Sequence, residues 1–315
     1  MSKLITRASS INRALDQIGD KWCLLIIEEV FWGINSFTDL MAATGVSRGV
    51  LTDRLAWLIS MDCLRQLPEH KGGKRMGYHL TEKSEDIYHC ALMALSWERQ
   101  FFSTPALDGV ALTHSKCGNT FTPEMRCRCC KDEVAVWDVS YKPGPGATWD
   151  ERDKKVRRRS SISVNKVPSK HNLYRNLINV VGDRWTANVI ALAFHGLSRF
   201  DEFHQELPVA TNILADRLKF LVEHSIFEQV VYQLRPKRFE YRLTTEGERL
   251  FPWFLSLLQW GDKWCDPGNR SKPMQPTHTS CNKKLHGEVV CSHCGGVLKA
   301  RDVNFNLGDT TAIAG

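Results

Sequence analysis

Residues 37–58 read FTDLMAATGVSRGVLTDRLAWL. Phe37, Leu40 and Met41 share one side of a short amphipathic helix, and Gly45 is the residue that stops it. Ser47 is a good N-cap, after which Val50, Leu51, Leu55 and Leu58 form one apolar stripe on a second helix. The stretch therefore predicts helix, tight glycine turn, helix, with Ser47, Arg48, Gly49 and Thr52 at the exposed start of the second helix. Upstream, Ile11, Ala14, Leu15, Ile18, Trp22, Leu25, Ile26 and Val30 keep helical spacing, and Gly19 marks a break between two helices. Downstream, strand-like runs near Leu64–Leu67 and Tyr78–Leu80 flank His70-Lys71-Gly72-Gly73-Lys74-Arg75, a basic hairpin tip. A last helix over roughly 82–102 carries Leu92, Leu95 and Trp97. A helix-turn-helix followed by a basic β-hairpin is a winged helix, whose second helix enters the DNA major groove while the wing lies along the phosphates.

The chain then repeats itself. Gly19-Asp20-Lys21-Trp22 returns as Gly182-Asp183-Arg184-Trp185, an offset of 163. The same offset pairs Phe37 with Phe200, Leu51 with Leu214, Arg54 with Arg217, Lys74-Arg75 with Lys237-Arg238, and Trp97 with Trp260, with no gap. Self-similarity at a fixed long period signals a duplicated domain. Each copy is followed by the same cysteine cluster, His114-x2-Cys117-x9-Cys127-x2-Cys130 and His278-x2-Cys281-x9-Cys291-x2-Cys294. His-x2-Cys and Cys-x2-Cys knuckles each let two ligands meet one ion, and nine residues suffice for a short hairpin between knuckles. These spacings predict two closed, tetrahedral structural Zn²⁺ sites, one per cluster. Cys23, Cys63, Cys90 and Cys265 have no such partners and read as small buried hydrophobes.

The predicted organisation is α+β, mainly α, with two winged helix-turn-helix domains in tandem, each followed by a small zinc-ribbon-like module. The boundaries are 9–104, 110–136, a linker at 137–170, 171–268, 274–300 and a tail at 301–315. Within the linker, Pro143-Gly144-Pro145-Gly146 and the basic run from Lys154 to Arg159 lack hydrophobic periodicity.

Composition narrows the function classes. The 315 residues carry 42 Lys+Arg against 35 Asp+Glu, a net charge of +7, which suits a polyanionic partner without requiring one. No apolar run approaches a bilayer span, and the first seven residues have no secretory apolar core, so the expected location is the cytoplasm. Eleven cysteines in such a chain suggest metal ligands rather than disulfides. No His-Glu-x2-His, phosphate-loop or Gly-x-Ser-x-Gly element is present, so an enzyme is not expected. The alternatives are a zinc-containing interaction scaffold and, behind it, a zinc or thiol enzyme.

Ala14-Leu15-x2-Ile18-Gly19-Asp20-Lys21-Trp22, Val46-Ser47-Arg48-x-Val50-Leu51-Thr52-x-Arg54-Leu55 and Tyr78-x-Leu80-Thr81 resemble the HxlR-type winged helix-turn-helix regulators. Copy two resembles them through Gly182-Asp183-Arg184-Trp185, Ile213-Leu214-x2-Arg217-Leu218 and Arg235-Pro236-Lys237-Arg238-Phe239-Glu240-Tyr241. The resemblance covers roughly 9–103 and 171–266 and implies bacterial transcriptional regulators that bind operators as dimers, with the first and last helices making the dimer interface. Gly49 and Asn212 stand where the family carries a basic residue, and Ser9-Ser10 and Asn172 where some members carry a sensing cysteine.

The resulting expectation is a sequence-specific regulator of double-stranded DNA, a repressor, in which one chain folds as an intramolecular pseudo-dimer or two chains pair. Candidate DNA contacts are Ser47, Arg48, Thr52, Lys71, Lys74 and Arg75 in copy one, and Thr211, Asn212, Arg217, Arg235, Lys237 and Arg238 in copy two. Arg54 and Arg217 carry the alternative of an internal ion pair with Asp53 or Asp216. Candidate metal ligands are His114, Cys117, Cys127 and Cys130, then His278, Cys281, Cys291 and Cys294. An effector pocket between the first and last helices is a further expectation, its ligand unknown. The recognition helices of such a pseudo-dimer should lie about 34 Å apart, one helical turn of DNA.

Overall fold

The computed structural model describes residues 3–68, 75–153, 173–265 and 272–307. The first wing tip, with Lys71 and Lys74, and the basic run Lys154 to Arg159 lie outside the described residues.

Copy one runs β1 (Lys3–Arg7), α1 (Ser10–Ile18), α2 (Lys21–Phe31), α3 (Phe37–Thr44), α4 (Arg48–Ser60), β2 (Leu64–Pro68), β3 (Met76–Leu80), α5 (Glu82–Glu85) and α6 (Tyr88–Phe101). It continues through α7 (Pro105–Asp108), β4 (Val110–His114), β5 (Pro123–Cys127), β6 (Val139–Pro143) and β7 (Trp149–Asp153). Copy two repeats the order as α8 (Arg175–Val181), α9 (Arg184–Ala193), α10 (Phe200–Glu206), α11 (Thr211–Glu223), β8 (Phe227–Leu234), β9 (Lys237–Leu243), α12 (Thr245–Glu248) and α13 (Phe251–Trp264). Its last strands are β10 (Met274–His278), β11 (Lys283–Lys284), β12 (Gly287–Cys291) and β13 (Val303–Leu307). Both winged helices take the predicted form, with antiparallel β2–β3 and β8–β9 as the wings.

Two compact units result, and neither is a single copy. The copy-one unit comprises Leu15–Glu124, Ile162–Gly182 and Val289–Gly315; the copy-two unit comprises Met1–Ala14, Met125–Ser161 and Asp183–Glu288.

In the copy-one unit, Leu40, Leu51, Leu55 and Leu58 meet Leu25 and Ile26 in the core, so the helix-turn-helix stripe is buried as the spacing requires. The first helix of copy two, α8, completes this unit by packing on α2 and α6. Its entry is fixed by carboxylates: Leu173 N–H donates to Glu28 Oε1 at 3.0 Å, and Leu177 N–H and Asn176 Nδ2 donate to Glu98 at 2.7 and 2.9 Å. The chain end adds β13, which pairs antiparallel with β4.

The copy-two unit is completed by the start of copy one. Ser10 Oγ donates to Asp262 Oδ1 on α13 at 2.6 Å. Gly261 is required there, because a Cβ would lie 2.3 Å from the Ser10 carbonyl oxygen. Arg13 forks onto Asp150 at 2.9 and 2.8 Å, and β1 pairs with β7.

These pairings correct two expectations. The segment 137–170 is not simply a linker: it supplies β6, paired with β10, and β7. The tail contributes β13. In both, the alternation Val139-Ser140-Tyr141 and Val303-Asn304-Phe305 gives a strand one apolar face, which is enough to fix it against a partner strand.

Candidate nucleic-acid interface and metal centres

The turn of the first helix-turn-helix is built locally. Ser36 caps α3 by accepting from Asp39 N–H at 3.1 Å, and Gly45 closes the helix in the left-handed region at φ 64°. Ser47 occupies the N-cap position of α4, but its hydroxyl makes no capping bond and stays exposed. Arg48 is exposed beside it, its guanidinium 5.4 Å from the Phe37 ring centre, and exposed Thr52 donates back to the Arg48 carbonyl at 2.9 Å. In copy two, Thr211 and Asn212 take the same exposed place at the start of α11, after Ala210 as N-cap.

The wings carry the exposed cations. Arg75 enters β3 from the first tip, and Arg235, Lys237 and Arg238 surround the second, where Leu234 pairs with Lys237. The Lys237 ammonium stands 5.0 Å from the Phe239 ring centre.

Arg217 is placed differently from expectation. Its guanidinium forks onto Asp183 at 3.0 and 3.0 Å, and Arg54 forks onto Asp20 at 2.9 and 3.0 Å. Each aspartate is also the N-cap of the following helix, accepting from Trp185 and Thr186 or from Trp22 and Cys23. The arginine is an internal strut between the second and recognition helices, with its bidentate donors taken. The partners are these caps, not Asp53 or Asp216.

The metal candidates come together in an unexpected combination. His114 and Cys117 meet Cys291 and Cys294, whereas Cys127 and Cys130 meet His278 and Cys281, with each set of ligand atoms within 4.8 Å of one another. Each set lies within one unit and draws on both copies. The expected pairing of knuckles inside one copy is corrected by the spacer. Residues 123–127 form β5 rather than a hairpin, and a five-residue strand carries the second knuckle about 13 Å away, beyond the reach of one ion.

All four knuckles share one turn. Gly118, Lys131, Asn282 and Gly295 each follow the second cysteine position and each has positive φ, between 52° and 71°. His114 Nδ1 lies 3.5 and 3.3 Å from the sulfurs of Cys117 and Cys294. His278 Nδ1 lies 3.3 and 3.7 Å from those of Cys130 and Cys281. Zn–S of about 2.3 Å and Zn–N of about 2.0–2.1 Å at a tetrahedral angle place sulfur and nitrogen about 3.6 Å apart. The residues therefore fit a four-coordinate ion held through Nδ1. Cys129 and His293, inside the Cys-x2-Cys knuckles, are exposed, and Cys23, Cys63, Cys90 and Cys265 are buried in the cores.

Two helix-turn-helix motifs, each with an exposed recognition-helix start and a β-wing, define a DNA-binding transcriptional regulator. The chain belongs to the HxlR-like helix-turn-helix family, whose model matches residues 17–105 and again 180–269. It is similar to the HTH-type transcriptional regulator Rv3095 of Mycobacterium tuberculosis, 36% identical over 131 residues, which is 42% of this chain and 82% of that protein. The HTH-type transcriptional regulator YodB of Bacillus subtilis is 33% identical over 92 residues, 29% of this chain and 82% of YodB. The solved structure of reduced YodB matches with 31% identity and a TM-score of 0.28, covering 30% of this chain and 94% of that one. Among the described residues, no helix is long and apolar enough to cross a membrane.

Proposed function

We propose that one chain is a complete operator-binding regulator: an intramolecular pseudo-dimer that represses by occupying an operator with two unlike half-sites. The exchange of first helices carries this reading. Copy one sends the start of α1 onto α13, and copy two sends α8 onto α2 and α6. Such an exchange satisfies within one chain the first-helix and last-helix packing that a dimer would supply from two. The two recognition helices start differently, as Ser47-Arg48-Gly49 and Ala210-Thr211-Asn212, which suits half-sites of different sequence. DNA contacts are assigned to Ser47, Arg48, Thr52, Lys71, Lys74 and Arg75, and to Thr211, Asn212, Arg235, Lys237 and Arg238.

Zn²⁺ is the ion these Cys₃His sets suit best, because thiolates select it and four protein ligands leave no open position for catalysis. The residues would hold the crossed knuckles as fixed struts.

The test is the mass of the protein–operator complex by light scattering, with footprinting alongside. One 35.9 kDa chain per operator, protecting two half-sites, is the expected result. Two chains per operator would overturn the pseudo-dimer. Metal analysis should give about two zinc per chain, and a folded, metal-free protein would remove the zinc assignment.

A further inference from the structure

The copy-two unit contains a cavity of about 530 Å³, within the range of small-molecule sites. The start of copy one forms one wall, β6 and the approach to β7 a second, and α9 with the end of α10 the third. Comparison of the two copies explains why it is open. At the 163-residue offset, the lining residues Asn188, Ala191, Leu192 and His195 replace Leu25, Glu28, Glu29 and Trp32. In copy one those positions are filled: Leu25 is fully buried, Glu28 holds Leu173 N–H, and Trp32 packs edge-on against Phe305 at 5.3 Å. Copy two has exchanged two carboxylates and an indole for uncharged side chains, and two of these, Ala191 and His195, are smaller than Glu28 and Trp32. It has also introduced a buried amide, Asn188, where copy one has Leu25.

The lining states what would fill it. Leu192, Leu197, Leu207 and Trp185 give apolar walls, and Tyr141 lies 4.1 Å from His195, ring centre to ring centre. Burial pushes His195 down to about 4, so its ring is neutral at physiological pH. Arg7, Lys142 and Arg184 contribute positive charge against a single carboxylate, Glu206, which Arg7 holds at 3.1 Å. Thr6 Oγ1 and Asn12 Oδ1, in the same wall, are buried without a partner. Buried polar groups of this kind call for a partner from outside the protein.

We propose that this cavity binds a planar aromatic carboxylate of two or three rings, with its ring system against Trp185 and Leu192 and its carboxylate toward Arg7 and Asn188. The cavity is lined by Glu206, the last residue of α10, and by Leu207 and Pro208 in the turn that leads into the recognition helix α11. A ligand carboxylate competes with Glu206 for Arg7 and so acts on that turn, and through it on copy two's half-site. This last step rests on the DNA-binding reading above; the binding step does not.

The test titrates the full-length protein with 2-naphthoate, following tryptophan fluorescence and heat, with 2-naphthalenemethanol as the uncharged isostere. The expected result is saturable naphthoate binding, at least tenfold tighter than the alcohol. Asn188→Leu and Leu192→Glu, each restoring the copy-one residue, should weaken it tenfold or more. Asn188→Leu keeps the test decisive if Leu192→Glu fails to fold. A flat naphthoate titration, equal affinity for acid and alcohol, or wild-type affinity in Asn188→Leu each overturns the site. Footprinting with naphthoate should change protection of copy two's half-site alone. Saturable binding with protection unchanged at both half-sites overturns the coupling. If no half-site is protected with or without ligand while binding stays saturable, the DNA reading fails and the ligand site stands.

Discussion

Asp20 and Asp183 show how much one side chain can carry. Each caps a helix and accepts a forked arginine, so replacing it removes a cap and strands a half-buried guanidinium. Caps are worth about 1 kcal/mol and charged hydrogen bonds about 1.5–3 kcal/mol. Asp20→Ala should therefore lose about 2–4 kcal/mol, and Asp20→Asn less, measured by urea denaturation of the copy-one unit; a loss within experimental error would mean the strut is idle. Glu28 and Glu98 act through protonation. Burial pushes them up to about 8 and about 7 from an ordinary 4.5, against the pull of Leu173 N–H on Glu28 and of the α8 groups of Asn176 and Leu177 on Glu98. The folded unit thus holds protons that the unfolded chain has released, and stability falls as pH rises from about 4.5 through those folded values, then levels off. Hydrogen exchange of the α8 amides, corrected for intrinsic rate, should show weaker protection at pH 9 than at pH 6. Glu98→Gln should reduce that difference, and an unchanged difference would exonerate the carboxyl. Neither the arginine struts nor these acids are legible as such in the sequence, because their partners lie 34 and at least 78 residues away along the chain.

At the scale of elements, periodicity is a sound guide wherever a helix presents one face to one core. The stripe Leu51, Leu55, Leu58 is buried as spaced, and Gly45 and Thr81 terminate and cap where their chemistry suggests. The short strands β6 and β13 escape that reading, although Val303-Asn304-Phe305-Asn306-Leu307 alternates strictly and Asp138-Val139 recurs as Asp302-Val303. The repeat continues past the clusters, and that continuation is the signal that marks them. The division of labour between helix and wing gives a prediction. Arg48→Ala should cost about 1–3 kcal/mol at its own half-site and relax base preference there. Lys237→Ala with Arg238→Ala should weaken binding evenly across sequences and lower the salt slope by roughly one for each phosphate no longer neutralised. Quantitative footprinting over a salt series separates the two, and an equal loss at both half-sites from either change would refute the assignment.

Across the whole molecule, the crossed knuckles cannot be read from spacing alone, because both clusters are identical in pattern and only the fold shows that residues 123–127 form a strand rather than a hairpin. Metal counting in double variants distinguishes the two pairings. In the crossed arrangement Cys127→Ser with His278→Ala disables one site and leaves about one zinc, while Cys127→Ser with His114→Ala disables both. Pairing within a copy predicts the reverse. The same arrangement has a consequence for biosynthesis. Cys117 leaves the ribosome 174 residues before Cys291, and at about 5–20 residues per second that is a wait of roughly ten to thirty-five seconds. Until then its knuckle is a half-built, nucleophilic pair exposed to every thiol and metal in the translating cell. Premature termination anywhere before Cys291 leaves that pair permanently open, so a truncated product differs from the finished protein in its sulfur chemistry as well as its length.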